Sequence, residues 1–264
     1  MSIFLYSIVF ILGLSLLSGP IGSLMLWRQM TFFGETVAHG TLLAFLLQYV
    51  THWPLIGCMI IIVLAYCIVL EIFESNYFDL NQVFPLLSYG AMGCALLLTE
   101  TVVRQPRMIY RVLIGDILLV SYDDCLILFI LLLSTICFVS YYYRAILLSL
   151  FSADLARLRY RSIFIIRFVI NVLIGLSVAM SVQSAGMLLA MAVLTIPSLT
   201  AASWSKHPWS MILLSSGVAL VGSFLGFAVS MICNWPTGPT ITVMLLVLYC
   251  LSVCVQYVWK SLQI

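Results

Sequence analysis

Of the 264 residues in this chain, 64% are hydrophobic and only 8% are charged, and the mean hydropathy is +1.21. These values exclude a soluble domain, because soluble domains typically contain about 45–50% apolar and about 25% charged residues. The formal net charge of +2 is too small to indicate nucleic-acid binding. The composition therefore predicts an all-α, polytopic helical membrane protein.

Nine hydrophobic segments follow one another along the chain, and two of them are short. In chain order they are residues 3–26, 35–50, 54–73, 85–103, 125–143, 168–182, 186–202, 209–233 and 240–259. A helix needs about 20 apolar residues to cross roughly 30 Å of hydrocarbon. We expect eight or nine transmembrane segments in a single transmembrane domain that spans residues 1–264. If only eight cross, one short segment is re-entrant or broken.

Two prolines interrupt these segments. Pro20 lies within the first segment, in the sequence SGPIG, and Pro197 lies near the end of the seventh. Proline has no backbone N–H, so it leaves a carbonyl of the preceding turn without its helical partner. We therefore predict that the first helix kinks or breaks at Pro20 and that the seventh breaks at Pro197.

The basic residues are concentrated in one connecting stretch. Five of the eleven Lys and Arg residues lie between residues 144 and 167, which places this stretch in the cytoplasm. Lys206 and Lys260 then fall on the same side of the membrane. The three arginines between residues 104 and 111 fall on the opposite side and argue against this orientation.

Within that stretch, the sequence SLFSADLARLRYR predicts a short cytoplasmic helix over residues 149–161. Ser152 is a suitable N-cap, and Asp154 would lie in the first turn, where a negative charge favours the helix dipole. Leu155 and Leu158 fall on one face of this helix. A short helix between two spans can dock a soluble partner; alternatively, it lies on anionic lipid at the membrane surface.

Glu35 and His39 are an acid and a histidine inside otherwise apolar sequence. On a helix they are four residues apart, so both side chains leave the same face. Ionisable residues at membrane depth usually face a cavity or a transport path. The alternative is a hydrogen bond between Glu35 and His39 that only packs two helices.

Asp116 is the second isolated charge in apolar sequence. Its carboxylate could serve a metal path as a hard oxygen ligand. The alternative is a capping role, in which the acid accepts hydrogen bonds from free amides at a helix N-terminus.

The chain lacks the P-loop through which many ATPases bind nucleotide. That motif needs a lysine after a glycine, and the only lysines, Lys206 and Lys260, do not follow one. We therefore expect no ATP hydrolysis by this device, and the chain is not predicted to be an enzyme. If transport is driven by ATP, the ATPase is a separate polypeptide.

Several blocks, taken together and in order, resemble the metal-importing ABC permease family. They are GPIGS at 19–23, WR at 27–28, FGETVAH at 33–39, LIGDIL at 113–118, AGMLL at 185–189, TIPSLTA at 195–201 and PTGPT at 236–240. The blocks are collinear and cover nearly the whole chain. A set of blocks in one order is more specific than any one of them.

This resemblance implies a homodimer of permease subunits in the bacterial inner membrane, with cytoplasmic ATP-binding subunits and an extracytoplasmic metal-binding solute receptor. It implies that the segment at about 145–162 couples to the ATPase through Ser152, Asp154, Leu155 and Ala156. It also implies that Glu35 and His39 line the metal path. Zn²⁺ suits a histidine nitrogen with a carboxylate, whereas Mn²⁺ suits oxygen-rich sites. The metal would be the transported ion, and we expect no bound cofactor.

Three positions depart from the family pattern. Glu35 stands where the family usually has aspartate, which keeps the charge. Zinc-type members carry a histidine in the fourth span, where this chain has Ser88, Tyr89 and Gly90, so a second nitrogen ligand is absent there. The coupling segment usually has a glycine about where Tyr160 stands.

The leading hypothesis is a permease subunit of an ATP-driven ABC importer for a divalent transition metal, zinc first and manganese next. A stand-alone secondary metal transporter or channel is the alternative, and the missing P-loop permits it. A non-transporting membrane anchor is a third hypothesis, but an anchor would not need Glu35 and His39 inside a span.

Overall fold

The computed structural model describes residues 2–75, 80–103, 115, 117–151, 153–160 and 163–262. These residues form ten α-helices: α1 Ser2–Trp27, α2 Thr31–Thr51, α3 Leu55–Ser75, α4 Leu80–Leu98, α5 Tyr122–Phe151, α6 Ala153–Arg159, α7 Ile163–Ala185, α8 Met187–Trp204, α9 Pro208–Cys233 and α10 Thr237–Leu262. A π-helical turn, Thr99–Val103, follows α4, and a 3-10 turn, Ile117–Leu119, precedes α5.

The prediction of an all-α membrane protein is confirmed. Each of the nine hydrophobic segments forms a helix, and eight helices in the described residues are long and apolar enough to cross a membrane. The ninth long helix is α2, which has 21 residues but is less apolar because it carries Glu35, His39 and several small or polar residues. Neighbouring helices compensate for this lower apolar content, since half of α2 is buried among α3, α4, α7 and α8.

The helices differ in how much of their surface is covered. In the most apolar part of α1 and of α7, 61% of the residues are buried, against 11% in α10. Helices α1 and α7 therefore form the inside of the bundle, and α10 is an outer helix that packs on α8 and α9. The apolar side chains on the outer face of α10 can contact the hydrocarbon of the membrane.

Contacts between side chains show which helix ends lie together. At one end, the Tyr6 and Tyr122 rings are 6.2 Å apart, and Gln183 donates to Asp124 at 3.2 Å. At the other end, Arg28 donates to a carbonyl at the start of α7. We call this second end the α6 end, because α6 connects the end of α5 to the start of α7. Because the arginines are concentrated near α6, we expect the α6 end to face the cytoplasm.

Helix α1 does not break at Pro20, so the predicted break is wrong. The helix runs from Ser2 to Trp27 with the proline inside. The carbonyl that Pro20 leaves without a helical donor is that of Leu16, and the Ser216 hydroxyl on α9 donates to it at 3.3 Å. The close approach depends on Gly19, where a Cβ atom would overlap the Ser216 hydroxyl.

The predicted break at Pro197 is also wrong, because α8 continues from Met187 to Trp204. Packing holds the helix together here: Gly22 on α1 lies so close to the Leu194 carbonyl that a Cβ atom would overlap it. The chain breaks instead at Gly186, between α7 and α8, where φ is +84°. A positive φ is easy only for glycine, so this position sets the corner.

The fifth span is longer than expected. It was predicted to end at residue 143, but α5 continues to Phe151 and includes Arg144. The short helix predicted over residues 149–161 is correspondingly shorter, from Ala153 to Arg159. An arginine at the end of a span can keep its charged head in water while its stem stays in the helix, so Arg144 did not end α5.

Candidate functional site

The helix with the candidate metal-path residues lies inside the bundle. Residues 36–42 of α2 are all buried. The close packing on α3 requires Gly40, because a Cβ atom there would overlap the Tyr66 ring. The part of α2 that carries His39 is therefore enclosed by neighbouring helices.

His39 is held by two oxygen atoms. Its side chain is 7% exposed, and its Nδ1 atom lies 3.1 Å from the Glu35 main-chain carbonyl and 2.7 Å from the Ser88 hydroxyl on α4. A carbonyl oxygen only accepts, so a hydrogen bond to the Glu35 carbonyl requires the proton on Nδ1. The lone pair is then on Nε2, as it is in most metal-ligating histidines, whose other nitrogen donates to an oxygen.

The side chain of Glu35 is exposed on the surface of the single chain. The contact between the two residues uses the Glu35 main-chain carbonyl, so it is the ordinary geometry of residues four apart on a helix. It differs from the side-chain pair that the alternative interpretation requires. The Glu35 carboxylate takes no part in this contact and remains on the same face of α2 as the His39 side chain.

In the fourth span, the residue that contacts His39 is Ser88. Tyr89 is 70% exposed, whereas Ser88 is buried and within hydrogen-bond distance of the imidazole. A second contact between the same two helices lies one turn away, where the Thr36 hydroxyl donates to the Phe84 carbonyl at 3.0 Å. Through Ser88, α4 therefore contacts the imidazole of His39 directly.

Asp116 lies outside the described residues, so its proposed part in the metal path stays a prediction. Its neighbour Gly115 has φ +64° and packs against the corner between α7 and α8, where a Cβ atom would overlap Ala185. That corner is at the end opposite α6, which the charge distribution assigns to the outside.

The described residues contain no group of three or more His, Cys, Asp and Glu side chains that could hold a metal ion. Within the described part of one chain, the candidate site therefore consists of Glu35 and His39 alone.

The segment predicted to couple to the ATPase forms the short helix α6. Ala156 is fully buried, whereas Leu155 is 57% and Leu158 is 86% exposed. The helix begins directly after Ser152, which lies outside the described residues, and Asp154 is in its first turn. Helix α6 therefore rests on the bundle through Ala156 and turns leucines outward at its end of the bundle.

Tyr160 ends this segment without a positive φ, because the only such non-glycine residues described are Gln29, His52 and Asn234. Its backbone N–H donates to the Ala156 carbonyl at 2.8 Å, and Ile163 donates to the Tyr160 carbonyl at 3.1 Å. These bonds connect α6 to α7 in a way that any residue can adopt. The backbone at Tyr160 therefore does not require a glycine.

The sequence interpretation missed a polar contact between α7 and the corner before α2. Arg28 donates to the Asn171 side-chain oxygen and, at 3.4 Å, to the Arg167 carbonyl. Asn171 is fully buried. Its amide inside a hydrophobic segment, with an arginine directly after the first span, was the signal that could have indicated this pair.

Comparison with known proteins identifies the family. Residues 2–256 match the model of the ABC 3 transport family. The chain belongs to this family. Its resemblance to metal-importing ABC permeases is thereby confirmed, and the match extends over almost the whole chain.

Characterised relatives cover similar lengths. The chain is 25% identical over 244 residues to the high-affinity zinc uptake system membrane protein ZnuB of Haemophilus influenzae, covering 90% of this chain and 92% of that protein. It is 24% identical over 244 residues to the manganese import system permease protein ScaB of Streptococcus parasanguinis, covering 91% and 86%.

The fold is also that of a solved structure. The structure of PsaBC from Streptococcus pneumoniae in complex with Fab matches with a TM-score of 0.83 and 20% sequence identity, covering 96% of this chain and 91% of that chain. The ABC 3 family member described here is thus a multi-pass inner-membrane permease that works in an ABC importer with other subunits.

Proposed function

We propose that this ABC 3 permease carries a divalent transition metal ion into the cell, zinc first and manganese second, along a path that passes Glu35 and His39. The observation that carries the proposal is the geometry at His39. Contacts with the Glu35 carbonyl and with Ser88 engage Nδ1 and leave Nε2 for a metal. The names of the zinc and manganese relatives support the class of ion.

A homodimer completes the site. One chain offers a nitrogen and a carboxylate, which are two of the four ligands that Zn²⁺ takes in tetrahedral coordination. Two copies related by a two-fold axis would place the same pair from each chain on a shared path. The exposure of Glu35 on the single chain supports this arrangement, because a ligand shared between copies must reach the chain's surface.

The composition of the site bears on which metal passes. A histidine in the fourth span would add a nitrogen ligand, but this chain presents the Ser88 hydroxyl to Nδ1 of His39 instead. Two ligands per chain form a weak site, which suits a transporter because a tightly bound ion would not leave. Zinc remains first because a histidine nitrogen with a carboxylate is a zinc ligand set, and manganese is second because it prefers oxygen.

Helix α6 is the contact for the ATP-binding subunits. Its exposed Leu155 and Leu158 offer an apolar surface to a soluble partner, while buried Ala156 transmits the contact to the bundle. Helix α7 follows directly, and its Arg167 carbonyl and Asn171 side chain hold Arg28 at the corner before α2. A movement of α6 can therefore be transmitted through α7 and Arg28 to α2, the helix that carries Glu35 and His39.

The remaining parts of the importer are separate chains. ATP hydrolysis belongs to the cytoplasmic subunits, and this permease is not itself an ATPase. The extracytoplasmic receptor would deliver the metal at the end opposite α6, where Asp116 would be available as an oxygen ligand.

Metal uptake into vesicles tests the function. The permease is reconstituted with its ATP-binding subunits, and entry of zinc and of manganese is measured with and without ATP. We expect ATP-dependent uptake of zinc above that of manganese. Uptake that does not depend on ATP would instead support a secondary transporter or channel.

A further inference from the structure

An apolar groove of about 540 Å³ runs between three helices at the α6 end of the bundle. Thr200 and Ala201 on α8 form its floor, and residues of α9 and α10 form its two walls, among them Leu214, Val218 and Leu251. Its volume is within the range of small-molecule sites in proteins, about 300–1,000 Å³. The groove lies within candidate spans, so hydrocarbon is its natural surrounding.

The groove is open because Gly217 has no side chain. At Gly217, on the α9 wall, an added Cβ atom would meet nothing within 4 Å. This glycine thus differs from Gly222 and Gly226 on the same helix, where α9 packs closely on α10 and a Cβ atom would overlap Leu245 or Ile241. The two helices meet on one side of the groove and stand apart at Gly217.

The open end of the groove carries groups that suit a lipid headgroup. Trp204 lines the groove and is fixed there, because its indole N–H donates to the Ser252 hydroxyl at 2.6 Å. Lys206 follows two residues later and is exposed. Tryptophans with a lysine at the end of membrane spans are typical of the headgroup level of a bilayer.

The charges of this half of the protein favour an anionic headgroup. Residues 155–264 contain six Lys and Arg residues and no Asp or Glu, since the last acidic residue of the chain is Asp154. Basic sites between transmembrane helices on the cytoplasmic side bind anionic lipid headgroups.

We propose that the groove between α8, α9 and α10 binds one anionic phospholipid, with an acyl chain against Gly217 and the phosphate at Lys206. The bound lipid fills the gap between α9 and α10 and so supports α10, the least buried span. This site is independent of the metal path, because none of its residues belongs to α2 or α4.

Brominated lipids test the proposal on the whole complex of permease and ATP-binding subunits in detergent. Phosphatidylglycerol and phosphatidylcholine with identical dibrominated acyl chains are titrated in, and quenching of Trp204 is taken as the difference between the native complex and a Trp204→Phe complex. We expect phosphatidylglycerol to bind at least fivefold more tightly. Lys206→Gln should lower the phosphatidylglycerol affinity about fivefold, the effect of about 1 kcal/mol per basic residue, while Lys206→Arg keeps it.

Two matched glycine variants test the acyl-chain position. Gly217→Leu fills the groove and should abolish quenching of Trp204, whereas Gly93→Leu, at another position where a Cβ atom meets nothing within 4 Å, should leave it unchanged. Both variants are checked for unchanged thermal unfolding in detergent. Equal affinity for the two lipids, quenching that survives Gly217→Leu, or a Trp204 that no lipid quenches in the native complex, as when a second copy covers the groove, would each overturn the proposal.

Discussion

The Ser88 hydroxyl lies 2.7 Å from Nδ1 of His39, so the neighbouring helix α4 contacts the histidine directly. This contact and the contact with the Glu35 carbonyl at 3.1 Å both engage Nδ1, so together they restrain the plane of the imidazole. Groups that orient a metal-binding histidine in this way usually affect metal affinity strongly.

Replacing Ser88 by alanine removes one of the two oxygen atoms at Nδ1. We expect the zinc concentration for half-maximal ATP-dependent uptake to rise about tenfold, because loss of such an orienting group typically costs 10- to 100-fold in metal affinity. Leu86→Ala, an exposed residue of the same helix, is the control and should leave uptake unchanged. An unchanged half-maximal concentration for Ser88→Ala would show that the hydroxyl has no part in orienting His39.

Replacing Arg28 by methionine removes the donor to the buried Asn171 oxygen and to the Arg167 carbonyl. A buried polar group without its partner costs roughly 1–3 kcal/mol, so the permease should unfold at a lower temperature in detergent. The same change should weaken the dependence of uptake on ATP, because α7 loses its link to the corner before α2. Arg144→Met, at an exposed position on α5, is the matched control.

The bond from Ser216 to the Leu16 carbonyl can be tested with Pro20 in a double-mutant cycle. Ser216→Ala should lower the free energy of unfolding by about 1 kcal/mol, since it leaves a carbonyl without a donor at membrane depth. In a Pro20→Ala background, residue 20 regains an N–H that can bond Leu16 within the helix, so the same change should cost close to nothing. Equal costs in both backgrounds would contradict this account of the unbroken helix.

Replacing Leu158 by aspartate places a charge on an α6 leucine that is 86% exposed. If α6 docks the ATP-binding subunits through its leucines, those subunits should no longer co-purify with the permease, while the permease itself still folds. Leu119→Asp, a leucine with 64% of its surface exposed at the opposite end, should leave co-purification intact. Loss of the complex in both variants would point to a general defect.

The nine long helices were predictable because the bilayer imposes a simple requirement of about 20 apolar residues per crossing. What the sequence could not show were contacts between distant residues. The break expected at Pro20 does not occur, because Ser216, 200 residues from Leu16, supplies the missing donor. In the same way, nothing in the sequence pattern identifies Ser88, and not Tyr89, as the residue against His39.

The candidate site was proposed from two residue types in one short stretch. Glu35 and His39 are conspicuous because ionisable residues are rare inside spans. Their arrangement was not predictable, since a side-chain pair and the observed contact with the main-chain carbonyl require the same spacing of four residues. Arg28 and Asn171 were missed because each alone is an ordinary residue at the end or inside of a span.

The measurement that tests the central claim most directly is ATP-dependent zinc uptake by a Glu35→Ala, His39→Ala double variant in vesicles that also contain the ATP-binding subunits. Tyr49→Ala, at an exposed position near the far end of the same helix, serves as the control. If the metal passes these two residues, the double variant loses zinc uptake while its assembly with the ATP-binding subunits is unchanged. Full uptake by the double variant would contradict the account.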